Sequence, residues 1–265
     1  TFAKRERKEF VQHTDELFAQ IASTGLTGYE PNIRAVAEFD GIAERLRNHG
    51  LEMRSVYVNS LLHNAEAAKT SIAEVLEVAR KAAELGVKII VTNPAPIRWG
   101  GPEDKNDAQL ITQATSLNQL GDELKKLGIT LAYHNHDSEL RQGAREFHHM
   151  LTATDPGLVK FCLDAHWIYR GCGDSQVALF DSLERYGSRI VELHLRQSTS
   201  GKWSEVFTAA GDLDHSRLKA WLDHRGMKPL LVLEQAVEDG SPQTLDVVTA
   251  HRRSFEATTT LFAGW

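Results

Sequence analysis

Asp164, His194 and Glu234 each close an apolar run, and together they offer two carboxylates and an imidazole. Such a mixed oxygen and nitrogen set suits a divalent ion. Mn²⁺, Mg²⁺, Co²⁺, Fe²⁺ and Zn²⁺ all fit, because ligand type alone does not choose among them. A fourth ligand is expected from Tyr133-His134-Asn135-His136-Asp137-Ser138-Glu139. There His134 and His136 share a side if the chain stays extended, whereas Glu139 lies beyond the run, and the spacing leaves the choice open. His166 follows Asp164 at the same two-residue spacing, suited to orienting a ligand or meeting substrate. Arg196 follows His194 likewise, suited to a substrate oxygen or carboxylate, or to a salt bridge at the rim. Trp99, Trp167 and Trp203 fall in or near the same loops. Their rings suit the C–H face of a sugar, and equally a core.

The remaining run ends, Glu30, Asn59, Asn93 and His134, add polar groups, of which Glu30 is a further substrate-binding candidate. Other chemistries lack their signatures. The chain contains no G-x-S-x-G, Walker loop, C-x-x-C or H-E-x-x-H, and Gly171-Cys172-Gly173 is only a fragment of a dinucleotide-binding turn.

The elements that must position these groups alternate. Strands are expected at Gly25–Pro31, Leu51–Asn59, Val87–Pro94, Ile129–His134, Leu158–Asp164, Ile190–Leu195 and Pro229–Glu234. Several are continuously apolar, as parallel strands buried on both faces are. Helical spacing marks Ile42–His49, Ala65–Leu85, Ala108–Leu127 and Arg217–Arg225, each stopped by a glycine, at 50, 86, 128 and 226. The alternation, with no Pro/Gly-rich linker, predicts one domain over residues 1–265. The expected architecture is a (β/α)8 TIM barrel, in which strand ends converge on one face. The seven strands fall one short of a barrel. The missing one is expected upstream of a helix at about Glu6–Ala22, with Thr1-Phe2 as its tail, or lost.

At 265 residues, a core needs no staples. Two cysteines, Cys162 and Cys172, argue against a disulfide framework and fit a reducing, cytoplasmic setting. A net charge of −6 argues against a nucleic-acid backbone as partner, and the mixed run Lys4-Arg5-Glu6-Arg7-Lys8 reads as solvated. No apolar run suits a membrane span. The expected partner is a small sugar or polyol, with a homo-oligomer left open.

The order and spacing of Tyr133-His134-Asn135-His136-Asp137-Ser138-Glu139, Cys162-Leu163-Asp164, Glu192-Leu193-His194-Leu195-Arg196 and Val232-Leu233-Glu234-Gln235 resemble the xylose isomerase-like TIM barrels, in their sugar phosphate isomerase/epimerase branch. The resemblance runs from Gly28-Tyr29-Glu30-Pro31 onward. It implies a Glu–Asp–His–Glu metal site whose last three ligands are Asp164, His194 and Glu234. Many members have a Glu where this chain has His134, with Glu139 as the replacement in the loop. It further implies proton transfer through an enediolate next to a metal-chelated carbonyl, with Glu234 as one base and Glu139 or His134 as the other. His136, His166, Trp167, Arg196, Trp203 and Glu30 would meet substrate. A lyase or dehydratase of the inosose or 3-keto-sugar type shares the first step. Endonuclease IV chemistry fits less well, since Trp167 stands where that member has a His. A non-catalytic sugar-binding barrel would not need the full acid–base set. The absence of a phosphate-binding glycine loop points to an unphosphorylated substrate.

Overall fold

The computed structural model describes residues 14–265. The expected upstream strand, the charged run at Lys4–Lys8 and the first part of the helix at Glu6–Ala22 lie outside the described residues. Cα packing groups the chain into two compact units: Glu30–Ala43 with Met53–Glu192, and residues 14–29 with Glu44–Glu52 and Leu193–Trp265.

The larger unit is built on the parallel strands β1 (Ser55–Tyr57), β2 (Ile89–Thr92), β3 (Thr130–His134) and β4 (Val159–Asp164), followed by the start of β5 (Ile190–Leu195). The register pairs Tyr57 with Val91, Thr92 with Tyr133, and His134 with Cys162. Alternate residues of each strand face opposite ways. Val91, Ala132 and Cys162 thus form one fully buried cluster, flanked by Tyr57, Ile89 and Val191. Val56, Ile90, Leu131 and Phe161 are also buried. This unit holds the helices α3 (Ala65–Glu84), α4 (Asp107–Lys126), α5 (Arg141–Ala153), α6 (Ala165–Gly171) and α7 (Gln176–Tyr186). Asn64, Asn106 and Ser175 accept backbone N–H bonds at the starts of α3, α4 and α7, satisfying donors that a helix leaves open. Arg189, just before β5, is buried and donates to the carbonyls of Leu151, Thr154 and Val159.

The smaller unit carries α1 (Asp15–Ser23), the end of β5, a two-stranded antiparallel hairpin of β6 (Ser198–Thr199) and β7 (Lys202–Trp203), α8 (His215–His224), β8 (Leu230–Leu233) and α9 (Val247–Leu261). The remaining helix, α2 (Ile42–Asn48), crosses the division of the chain. Strand β8 neighbours β5, with the Glu234 N–H on the Leu195 carbonyl at 3.0 Å. Gly25 takes φ +93°, and a Cβ there would lie 2.6 Å from the Phe255 ring. Only glycine meets both demands.

Two expected strands are cut back. Gly25–Pro31 makes isolated parallel bridges only, Gly28 with Glu52 and, just beyond it, Asn32 with Tyr57, and Leu51–Asn59 narrows to Ser55–Tyr57. Pro31 accepts from the Tyr57 N–H and Ile33 donates to the Tyr57 carbonyl, but Pro31 has no N–H of its own to extend the ladder. Among the described residues no helix is long and apolar enough to cross a membrane.

Candidate metal and acid–base site

In the larger unit, β3 and β4 end side by side on His134 and Asp164, both buried. His134 Nε2 stands 3.9 Å from Asp164 Oδ2. The other oxygen, Oδ1, accepts the Trp167 N–H at 2.9 Å and so starts α6. The two-residue spacing from Asp164 to His166 is therefore not that of an extended strand. The carboxylate that ends the strand also caps a helix, so the chain turns helical at Ala165 and alternation stops. His166 is buried with its ring 5.4 Å from Tyr169.

His136 does sit with His134, ring to ring at 4.7 Å. Its edges also meet Trp167 at 5.8 Å and Trp99 at 5.6 Å. Trp99 keeps 56% of its surface exposed, which makes it the open end of this aromatic wall. Glu139 lies in a short 3-10 turn and is buried. One of its oxygens accepts the His136 N–H at 2.7 Å, and the other accepts from the Asn93 amide at 3.2 Å and the Ser138 hydroxyl at 3.0 Å. Glu30 is partly buried in the first segment of this unit.

In the smaller unit, the other candidates converge on one carboxylate. Glu234 Oε2 is 2.9 Å from His194 Nδ1 and also accepts from the Arg196 guanidinium. Here the two-residue spacing works as expected: His194 and Arg196 both reach Glu234. Arg196 is buried and lies 5.5 Å from the ring centre of Trp203, a cation–π distance. The hairpin that presents Trp203 is held by Asp212, which accepts from Ser198, Ser200 and Gly201. Trp203 itself donates its N–H to Glu238 at 3.0 Å.

The sequence left three positioning groups without that role. Asn93 donates to the His134 carbonyl as well as to Glu139. Asn135 pairs with the backbone of Asp164. His215, fully buried against Phe207, sits 2.9 Å from the Arg196 carbonyl through Nε2. Burial pulls its pKa down to about 4, against smaller opposing effects of that hydrogen bond and of Asp214, so it is neutral at pH 7 and donates. The available signal was an amide just past a strand end, as in His134-Asn135 and Thr92-Asn93.

A model of the xylose isomerase-like TIM barrel matches residues 18–254. An inosose dehydratase of Geobacillus kaustophilus is 22% identical over 193 residues, 69% of this chain but only 61% of that protein. Among solved structures, a sugar phosphate isomerase/epimerase from Parabacteroides distasonis superposes with TM-score 0.76 at 20% identity, covering 99% of this chain and 92% of that one. A xylose isomerase-like TIM barrel protein from Mycobacterium smegmatis in complex with magnesium does so at 0.71 and 13%, covering 94% and 89%. The fold is thus an α/β TIM barrel, with strand ends that carry the polar groups described above. The chain belongs to the family of xylose isomerase-like TIM barrels.

Proposed function

We propose that the protein is a divalent-metal-dependent sugar isomerase or epimerase, acting on a small ketose, keto-sugar or polyol through an enediolate. The observation that carries this reading is Glu234, whose Oε2 is gripped by both His194 and Arg196 at the end of β8. A carboxylate so held is a positioned general base.

We take the donors for the ion from the family pattern: His134 and Asp164 at the ends of β3 and β4, with His194 in β5 and Glu234 just past β8. In a barrel their strand ends share one rim. Two imidazoles and two carboxylates fit a first-row divalent ion, and the second imidazole favours Co²⁺, Fe²⁺ or Zn²⁺ over Mg²⁺. His134 takes the place of the first ligand, since Glu139 already has hydrogen bonds on both oxygens. When bound, the ion would stabilise negative charge developing on a substrate carbonyl oxygen. Glu234 removes the proton from the neighbouring carbon. Arg196 holds a substrate oxygen, and Glu139 keeps the His134–His136 segment in place. Trp99, His136, Trp167 and Trp203 offer ring faces to the sugar.

The match to an inosose dehydratase favours a second reading, elimination of water after the same first step. In that reading Glu139 would be the first ligand, and the His134 imidazolium would deliver a proton to the departing hydroxyl.

The test is metal content by elemental mass spectrometry, followed by turnover of unphosphorylated ketoses and inososes in deuterated water. About one equivalent of metal, lost in Asp164→Asn, is expected. Deuterium entering a C–H bond without loss of water marks the isomerase or epimerase. Release of water marks the dehydratase. Metal-free protein after soaking, or activity confined to sugar phosphates, would refute the reading.

A further inference from the structure

The side chain of Asn135 is fully buried immediately after β3. Its Nδ2 donates to the Asp164 carbonyl at 3.1 Å, and its Oδ1 accepts the Asp164 N–H at 3.2 Å. A side-chain amide carries a donor and an acceptor at the spacing of a peptide group, and no other uncharged side chain of this length does. Asn135 therefore adds one rung to the β3–β4 ladder beyond its last registered pair, His134 with Cys162. The rung falls on a residue whose side chain is also fixed, through Oδ1 on the Trp167 N–H. With backbone N–H, backbone C=O and Oδ1 all held, Asp164 has no torsion left to wander, and Oδ2 is directed at the His134 side, 3.9 Å from Nε2. Asn93, just past β2, holds the His134 carbonyl at 3.1 Å through Nδ2 alone.

We infer that Asn135 is a positioning residue for the metal site, an amide clamp that sets the Asp164 carboxylate before any ion arrives; this rests on the metal-dependent reading above. Residues that orient metal ligands typically change affinity by roughly 10–100-fold when removed. The ligand whose orientation is lost must otherwise be ordered by the ion itself.

The experiment is calorimetric titration of Mn²⁺ into the full chain, beside Asn135→Ala and Asp164→Asn, with the melting temperature of each metal-free protein. Weakening of Mn²⁺ binding by roughly 10–100-fold in folded Asn135→Ala is expected. A purely architectural residue would lower the metal-free melting temperature and leave the affinity of the folded fraction unchanged. That outcome, with Asp164→Asn no longer binding, overturns the clamp and keeps the metal site. Equal binding by Asp164→Asn and the unmodified chain, or no binding by the latter, overturns both. Should Asn135→Ala not fold, Asn135→Ser carries the same comparison; failure of both to fold overturns the clamp in favour of architecture.

Discussion

The two units hold their candidate ligands by different physics. In the larger, neutral amides grip the backbone: Asn93 on His134 and Asn135 on Asp164, all four residues buried. In the smaller, charge does the work, with His194 and Arg196 both on Glu234, whose side chain keeps 39% of its surface exposed. A neutral clamp costs little desolvation and presets geometry. A charged contact is stronger but must be shared or broken when an ion or substrate needs the same oxygen. On the proposed reading, the amide-held residues would act as fixed donors, and Glu234 would be the carboxylate that exchanges partners.

Removing the carboxylate should have the largest effect. Glu234→Gln keeps size and shape but cannot accept a proton, and kcat should fall by roughly 10²–10⁴-fold while the circular dichroism spectrum is retained. Turnover within a few-fold of the unmodified enzyme would assign the base elsewhere and break the contrast.

The next effect belongs to His215, the one backbone clamp described in the smaller unit that can titrate. Its pKa is lowered to about 4 in the fold from an ordinary 6.5, chiefly by burial. Between those values the unfolded chain binds a proton that the folded chain excludes. Its contribution to stability is therefore complete above about pH 6.5 and is lost as pH falls through about 4, roughly 3 kcal/mol in all. In His215→Gln, whose amide can still meet the Arg196 carbonyl, the fall in denaturation midpoint between pH 6.5 and 4 should be shallower. An unchanged acid limb would place the acid sensitivity in other groups.

Arg196→Met should act least. It keeps contact with Trp203 but removes a charge-assisted bond, a change worth roughly 1.5–3 kcal/mol. Steady-state kinetics should show a loss in kcat/KM of roughly 10–100-fold. No loss would reduce Arg196 to a rim salt bridge.

Much of this was legible in the order of residues. Val87–Pro94, Ile129–His134, Leu158–Asp164 and Ile190–Leu195 are apolar runs closed by polar groups, and all contain observed strands. His194 and Arg196 came together because β5 stays extended up to Leu195. Between Asp164 and His166 the extended alternation stops, because one carboxylate serves as both strand end and helix cap. The hairpin Ser198–Trp203 was unread because two-residue strands leave no alternation to detect. Asn93 and Asn135 were hard to rank for another reason. Their roles depend on which carbonyl faces them across the sheet, and register belongs to tertiary structure.

The tie between Asp164 and Trp167 has an optical consequence. The backbone N–H of Trp167 ends on the carboxylate, and its indole lies against the imidazole of His136. Light emitted by that indole is sensitive to the packing at the start of α6 and to the ring beside it. The protein thus carries its own chromophore beside the groups proposed to bind the ion, and no dye need be attached to watch them.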